Sequence, residues 1–68
     1  MSNVLIMWRA DHAGEQISHE FGADWADTLR ELHAERPCDC CTPTAFAPNG
    51  ARAWVDETGE VVRGAGWE

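Results

Sequence analysis

The sequence lacks several features that would assign it to a familiar class of protein. It contains no apolar run of about 18 residues, and no basic N-terminal region followed by an apolar stretch and a cleavage site. We therefore expect neither a membrane span nor a secretory signal, and we predict a cytosolic protein with reduced thiols. The sequence also lacks G-x-S-x-G, P-loop and H-E-x-x-H motifs, so we predict that it is not an enzyme.

The sequence also contains no lysine, and its negatively charged residues outnumber the positively charged ones. Twelve Asp and Glu residues stand against five Arg residues, which gives a formal net charge of −7 in 68 residues. Such a charge repels nucleic acids and anionic membranes and attracts basic protein surfaces. A chain this short is expected to form a single domain, residues 1–68, with a small core.

Short β-prone segments separated by turn residues predict an antiparallel sheet. The predicted strands are residues 3–9, 15–21, 44–47, 51–56 and 60–63. The first two form a hairpin, in which Ile17, His19 and Phe21 lie on the half-buried face. The last three form a meander with glycine at its tight turns. The predicted fold is therefore α+β, with four to five antiparallel strands and one α-helix on one face of the sheet.

One helix is predicted over residues 24–36, because Asp24 can cap its N-terminus and the proline that follows cannot lie inside it. Trp25, Leu29 and Leu32 share one arc of this helix at about 100° per residue, and we expect them to dock on the sheet. Their predicted contacts in the sheet are four apolar residues: Ile6, Ile17, Phe21 and Trp54.

Four carboxylates lie on the opposite side of the predicted helix. This acidic stripe consists of Asp24, Asp27, Glu31 and Glu35, and Arg30 flanks it without neutralising it. Its charges repeat every 4 to 5.5 Å or so, of the same order as the roughly 3.4 Å between phosphates along a nucleic-acid strand. A solvated helix face is the simpler interpretation. We predict partner contacts at the acidic stripe and at three acids of the last hairpin: Asp56, Glu57 and Glu60.

The stretch 33-HAERPCDCC-41 concentrates three cysteines and one histidine. Structural zinc ligands usually come in C-x2-4-C pairs, whereas Cys40 and Cys41 are adjacent and would point to opposite sides of an extended chain. The cysteines also follow the negative end of the helix, which disfavours a catalytic thiolate. We therefore predict no metal and no cofactor. The alternative is a three-thiolate zinc site whose ligands are His33, Cys38, Cys40 and Cys41, with His12 or His19 able to replace His33 if the hairpin folds over.

In size, acidity and lack of a catalytic motif, the sequence resembles the small anti-CRISPR proteins of phages and mobile elements, and most closely the inhibitors of type I systems. The resemblance concerns the size and charge of the whole chain and includes no motif. It implies a non-enzymatic inhibitor in the host cytoplasm that binds a basic, nucleic-acid-binding surveillance complex and blocks DNA binding by DNA mimicry. We expect a monomer that binds neither nucleic acid nor membrane itself. The alternatives are a small zinc-binding structural or adaptor domain and an acidic antitoxin-like partner of a basic toxin.

Overall fold

The structure, a computed structural model, describes residues 3–67. In chain order the elements are β1 (Val4–Arg9), β2 (Gln16–Phe21), α1 (Trp25–Ala34), a 3-10 turn (Asp39–Cys41), β3 (Thr44–Phe46), β4 (Arg52–Val55) and β5 (Val61–Arg63). The predicted α+β class is confirmed, with one antiparallel sheet and one helix packed against it. Over the described part of the chain, no helix combines the length and the apolar character that a membrane crossing requires.

The strands form one sheet in the order β2-β1-β3-β4-β5, and every neighbouring pair is antiparallel. β1 pairs with β2 in the opening hairpin and, along its other edge, with β3, which enters the sheet after the helix and the cysteines. The hairpin register places Val4 opposite Phe21 and Arg9 opposite Gln16. Because α1 packs on β1, β4 and β5, the edge strand β2 remains largely exposed.

The apolar core lies between α1 and the covered face of the sheet. Side chains alternate between the two faces of a strand, and Ile6 of β1 and Ala45 of β3 are register partners that both point toward the helix. The small alanine side chains of β3 and β4 leave room for Leu29 of α1, which is fully buried. The apolar core consists of seven residues: Val4, Ile6, Trp25, Leu29, Ala45, Ala53 and Val55. The predicted helix face is therefore the one that docks.

Two of the predicted core contacts are wrong. Trp54 is 39% exposed, because the residues on either side of it in β4 are buried and it points to the face that the helix does not cover. Ile17 is 38% exposed, because it lies on the edge strand β2, away from the strands on which α1 packs. Phe21 and Leu32 do pack against the apolar core, as predicted, and are partly buried.

The turns of the meander have the predicted chemistry. Gly50 has a φ of 91° and Gly59 a φ of 87°, in the region that residues with a β-carbon rarely adopt. The N–H of Gly50 donates to the carbonyl of Ala47 at 2.9 Å, and the N–H of Gly59 donates to the carbonyl of Asp56 at 3.1 Å. Each glycine therefore closes a tight turn between neighbouring strands.

Candidate metal centre

A histidine in the turn between β1 and β2 faces the cysteine segment. His12 is exposed and lies within a turn that the neighbouring Asp11 closes. The carbonyl of Asp11 accepts a hydrogen bond from the N–H of Gly14 at 3.1 Å, and its carboxylate accepts one from the N–H of Ala13 at 2.8 Å. These two bonds fix the turn and hold His12 at its tip.

The three cysteines are gathered by the 3-10 turn that follows α1. Cys38 has an extended backbone, with φ −162° and ψ 169°, and precedes the turn as its N-cap residue. The N–H of Cys41 donates to the carbonyl of Cys38 at 3.1 Å, and the hydroxyl of Thr42 donates to the carbonyl of Asp39 at 2.6 Å. The segment therefore doubles back on itself and brings the first and third cysteines together.

The side chains of His12, Cys38, Cys40 and Cys41 converge on one point and form what we call the ligand cluster. Their ligand atoms all lie within 4.8 Å of one another. Nδ1 of His12 lies 3.0 Å from Sγ of Cys40 and 3.2 Å from Sγ of Cys38. Sγ of Cys41 lies 3.5 Å from that of Cys38 and 4.0 Å from that of Cys40. The three sulfurs and one nitrogen thus lie close enough together to surround one small ion.

The composition of the ligand cluster matches a zinc site, and its dimensions are close to those of one. Zinc binds sulfur at about 2.3 Å and imidazole nitrogen at about 2.0 to 2.1 Å, so tetrahedral geometry requires edges of about 3.8 Å between sulfurs and about 3.6 Å between sulfur and nitrogen. The sulfur–sulfur distances of 3.5 and 4.0 Å lie on either side of the first value, and the sulfur–nitrogen distances of 3.0 and 3.2 Å are a few tenths of an ångström shorter than the second. Thiolate and imidazole ligands in tetrahedral geometry favour zinc over harder cations such as Mg²⁺ and Ca²⁺. The residues therefore fit a zinc ion.

The three thiols differ in acidity because their surroundings differ. Hydrogen bonds from the side chains of Cys40 and His12 lower the pKa of Cys38 from 9.0 to about 6. Burial, and then the hydrogen bond to Cys38, raise the pKa of Cys41 to about 11. The hydrogen bond with Cys38 also raises the pKa of Cys40. A bound cation would displace the protons of the thiols, so metal binding should release protons and weaken as the pH falls.

The histidine in the ligand cluster is His12 and neither of the other two histidines. His33 is half-buried at the end of α1, where its Nδ1 lies 3.2 Å from Nη1 of Arg36. The same Nη1 donates to the carbonyl of His33 at 2.6 Å, and Nη2 donates to the carboxylate of Asp39 at 3.0 Å. His19 lies on β2 with its ring 5.5 Å from that of Phe21, between centroids. Arg36 therefore holds the cysteine segment in place, while His33 lies outside the ligand cluster.

Cys40 and Cys41 were expected to point apart on an extended backbone, whereas both residues belong to a 3-10 turn. In such a turn consecutive side chains are separated by about 120° and residues three apart lie on the same side. Cys38 and Cys41 themselves have C-x2-C spacing, a signal that was present in the sequence and that the adjacent Cys40 obscured. The presence or absence of a metal stays a prediction.

All four residues of the acidic stripe are exposed on α1 or at its ends. Asp24 is the N-cap residue without a side-chain capping bond, and Glu35 is the C-cap residue. Arg30 forms an ion pair with Asp27, so it partly neutralises the stripe that it was expected only to flank. The exposed position is as predicted, and the net charge of this face is smaller than the sequence suggested.

The acids of the last hairpin have different roles. The carboxylate of Asp56 accepts hydrogen bonds from the N–H and the hydroxyl of Thr58, at 2.9 and 2.6 Å, and from the N–H of Glu60 at 3.1 Å. These bonds, led by that of the Thr58 side chain, lower the pKa of Asp56 below its usual range. Asp56 is therefore a turn-forming residue, and its contact with a partner stays a prediction. Glu57 and Glu60 are exposed.

Comparison with known proteins gives no relative from which a function could be transferred: no family model, no curated protein and no solved structure matches this chain. The geometry of the ligand cluster and the surface charge must therefore carry the functional argument. Of these two features, the ligand cluster has the more specific chemistry, because four soft ligands converge on one point from distant parts of the chain.

Proposed function

We propose that this chain is a small, non-catalytic zinc-binding domain in which the ion holds the fold together. The observation that carries the proposal is the convergence of His12, Cys38, Cys40 and Cys41 within 4.8 Å. Three thiolates and one imidazole form one of the ligand sets found in structural zinc sites. The zinc-binding alternative from the sequence is thus favoured, with His12 replacing His33 as the fourth ligand.

A structural role follows from the number of ligands. Catalytic zinc sites keep one coordination position for water or substrate, whereas structural sites fill all four positions with side chains. The ligand cluster supplies four side chains. An ion bound there would have no open position at which to activate water, so the proposal includes no reaction at the metal.

The fold gains from such an ion because the ligand cluster joins distant parts of the chain. His12 and Cys38 are 26 positions apart, and they connect the β1–β2 turn to the segment between α1 and β3. Closing a loop of this length in the unfolded chain by a cross-link corresponds to about 3 to 4 kcal/mol in a chain-entropy model. Domains of this size often need a metal or disulfides in addition to their core.

Reduced thiols are a condition of this function, since a disulfide would remove ligands. We therefore place the domain in the cytoplasm of a cell, where thiols remain reduced. The zinc-stabilised scaffold presents α1 with its acidic stripe, and we propose an adaptor role in which this face contacts a basic protein surface.

Metal analysis and a matched pair of histidine variants test the zinc site. Protein purified under reducing conditions with zinc should contain one zinc ion per chain, and Co²⁺ in its place should show thiolate charge-transfer and tetrahedral d–d absorption. His12→Ala should weaken zinc binding at least tenfold, whereas His33→Ala should leave it unchanged. Folded protein that holds no zinc after loading, or equal losses in the two variants, would rule the site out.

A second candidate function is the acidic inhibitor of a nucleic-acid-binding defence complex. The observation that favours it is the exposure of all four stripe carboxylates along one helix face of a chain with a net charge of −7. The two functions are compatible, because a zinc-stabilised scaffold can carry an inhibitory surface. Phage plating on a host with an active type I system tests it: expression of the chain should restore plating, and failure to do so removes this candidate while leaving the zinc site untouched.

A further inference from the structure

Cys38 and Cys41 form a close pair within the ligand cluster. Their sulfurs are 3.5 Å apart, and the 3-10 turn fixes their spacing through the hydrogen bond between the N–H of Cys41 and the carbonyl of Cys38. C-x2-C is the spacing at which thiol pairs cycle between the dithiol and the disulfide. Cys40 is a poorer partner for Cys41, because a disulfide between adjacent residues strains its own torsion and the peptide between them.

We propose that Cys38 and Cys41 are a reversible oxidation site, and that disulfide formation between them expels the metal from the ligand cluster. The oxidant belongs to the class of peroxides, and hydrogen peroxide is the simplest member. This inference rests on the proposed zinc site for its metal-release step, while the disulfide itself requires only the two thiols.

The reaction balances with one peroxide for each disulfide. One of the two thiolates attacks a peroxide oxygen, the O–O bond breaks, and the hydroxide that leaves takes up a proton to form water. The second thiolate attacks the sulfur of the resulting sulfenic acid, and a second hydroxide leaves and is protonated to water. Two thiolates, one hydrogen peroxide and two protons thus become one disulfide and two waters.

Metal loss follows from the ligands that remain. Once Cys38 and Cys41 are oxidised, only Cys40 and His12 are left, and a disulfide sulfur is not the thiolate that zinc requires. A structural site needs four ligands, so two exposed side chains would not retain the ion against competing chelators. Formation of the disulfide at the 3-10 turn therefore also removes the metal link between the cysteines and His12 in the β1–β2 turn.

A peroxide can reach the sulfurs from the surface. An open groove of about 460 Å³ lies beside the ligand cluster, and its lining includes residues of β1 and β3 together with His12, Cys40 and Cys41. Cys41 is buried but lines this groove, whereas the half-buried Cys38 lies outside the lining, so an oxidant in the groove reaches the pair through Cys41. A small oxidant fits this space, whereas a protein disulfide would have to approach the exposed Cys40 first.

Stoichiometric oxidation of the zinc-loaded full chain tests the proposal. After a slight excess of hydrogen peroxide, a chromogenic chelator should detect one zinc released per chain, and the number of titratable thiols should fall from three to one. Peptide mapping should link Cys38 to Cys41, and a dithiol reductant with added zinc should restore the starting state. Zinc retained in chains that carry this disulfide, or zinc released with Cys38 and Cys41 unlinked, would overturn the proposal.

Two serine variants provide a matched comparison, because each removes one thiol ligand. Cys40→Ser keeps the Cys38–Cys41 pair and should form the disulfide with peroxide. Cys38→Ser lacks the pair, and we expect its oxidation to form no intramolecular disulfide and to release residual zinc at least tenfold more slowly. Equal release rates in the two variants would contradict the mechanism.

The metal-free wild-type chain separates the two proposals. A chain that takes up no zinc but still forms the Cys38–Cys41 disulfide would refute the zinc site and support the oxidation site. A chain that binds zinc but forms no such disulfide, with or without metal, would refute the oxidation site alone.

Discussion

The apolar core contains seven buried residues between α1 and the sheet, whereas the ligand cluster contains a single buried residue, Cys41, among its four members. The apolar core gains free energy from every methyl group removed from water, and it tolerates small shifts in position. The ligand cluster buries little surface, and with the proposed zinc bound its stability would depend on one ion held by directional bonds. The two regions should therefore fail under different perturbations, and the predictions below apply one perturbation to each.

Removing the metal should have the largest effect. When free zinc exceeds its dissociation constant a thousandfold, binding stabilises the native state by about 4 kcal/mol if the denatured chain binds none, so excess chelator should lower the free energy of unfolding by at most that amount. Urea denaturation with and without EDTA measures the difference. Hydrogen exchange should accelerate most in residues 10–15 and 36–43, and least in α1. Identical unfolding curves in the two buffers would mean that the ligand cluster adds nothing to stability.

Truncation of Trp25 should have the next largest effect on stability, and it acts on the apolar core. Trp25 is buried and stacks near Trp67, with 4.9 Å between ring centroids. Trp25→Ala should therefore cost about 3 kcal/mol or more, even in zinc-saturated buffer. Trp54→Ala is the control of equal size, and its exposed position predicts a loss of less than about 1 kcal/mol. A loss from Trp25→Ala as small as that of the control would show that α1 is wrongly oriented on the sheet.

Removing charge from the acidic stripe should weaken binding to a partner and leave the apolar core and the ligand cluster unchanged. In a triple variant, Asp27→Asn with Glu31→Gln and Glu35→Gln, melting should change little, because relief of repulsion between like charges offsets the lost ion pair with Arg30. Affinity for a purified type I surveillance complex should fall at least tenfold, about 1.4 kcal/mol, with the loss mainly in the association rate at low salt.

The control neutralises two exposed acids outside the predicted contacts, Glu15 and Glu20, and is matched to the double variant Glu31→Gln with Glu35→Gln. It should bind nearly as well as the unmodified chain if position matters and not only net charge. A stripe variant that binds the complex at full strength would remove the acidic stripe from the mechanism.

The smallest effect is expected at the β4–β5 turn, which belongs to neither region. The Thr58 hydroxyl and the turn N–H groups hold the pKa of Asp56 below its ordinary value of 3.8. The turn therefore gains stability that is fully present above the unfolded pKa and is lost as the pH falls through the folded one. Asp56→Asn keeps an oxygen acceptor without the charge, so melting should depend less on pH below about 4. An unchanged acid profile in this variant would show that the carboxylate does not hold the turn.

The fold could be predicted largely from local signals in the sequence. Helix α1 was expected over residues 24–36 and spans Trp25–Ala34, because a capping position and a proline bound it from either side. The wrong predictions concern which face of a strand is covered by the helix. Periodicity places Trp54 opposite its neighbours, but it does not indicate which face receives the helix, and a large aromatic side chain was wrongly assigned to the core.

The ligand cluster was harder to predict because it depends on long-range contacts. The C-x2-C spacing of Cys38 and Cys41 is visible in the sequence, but the 3-10 turn that aims Cys40 at the same point is not. His12 belongs to the ligand cluster because β1 pairs with β3, which brings the β1–β2 turn next to the cysteines. The position of His12 is thus a property of the sheet topology, whereas His33 is only near the cysteines in sequence.

The uneven spacing of the ligands along the chain has a consequence for folding. Three of them lie within residues 38–41, while His12 is separated from Cys38 by 26 positions. A denatured chain can therefore gather the three thiolates around an ion before any sheet exists. Zinc then stabilises the denatured ensemble too, and a large excess of zinc should raise stability by less than its native affinity suggests. The bond between His12 and zinc should be the last to form, and its formation should coincide with the pairing of β1 and β3.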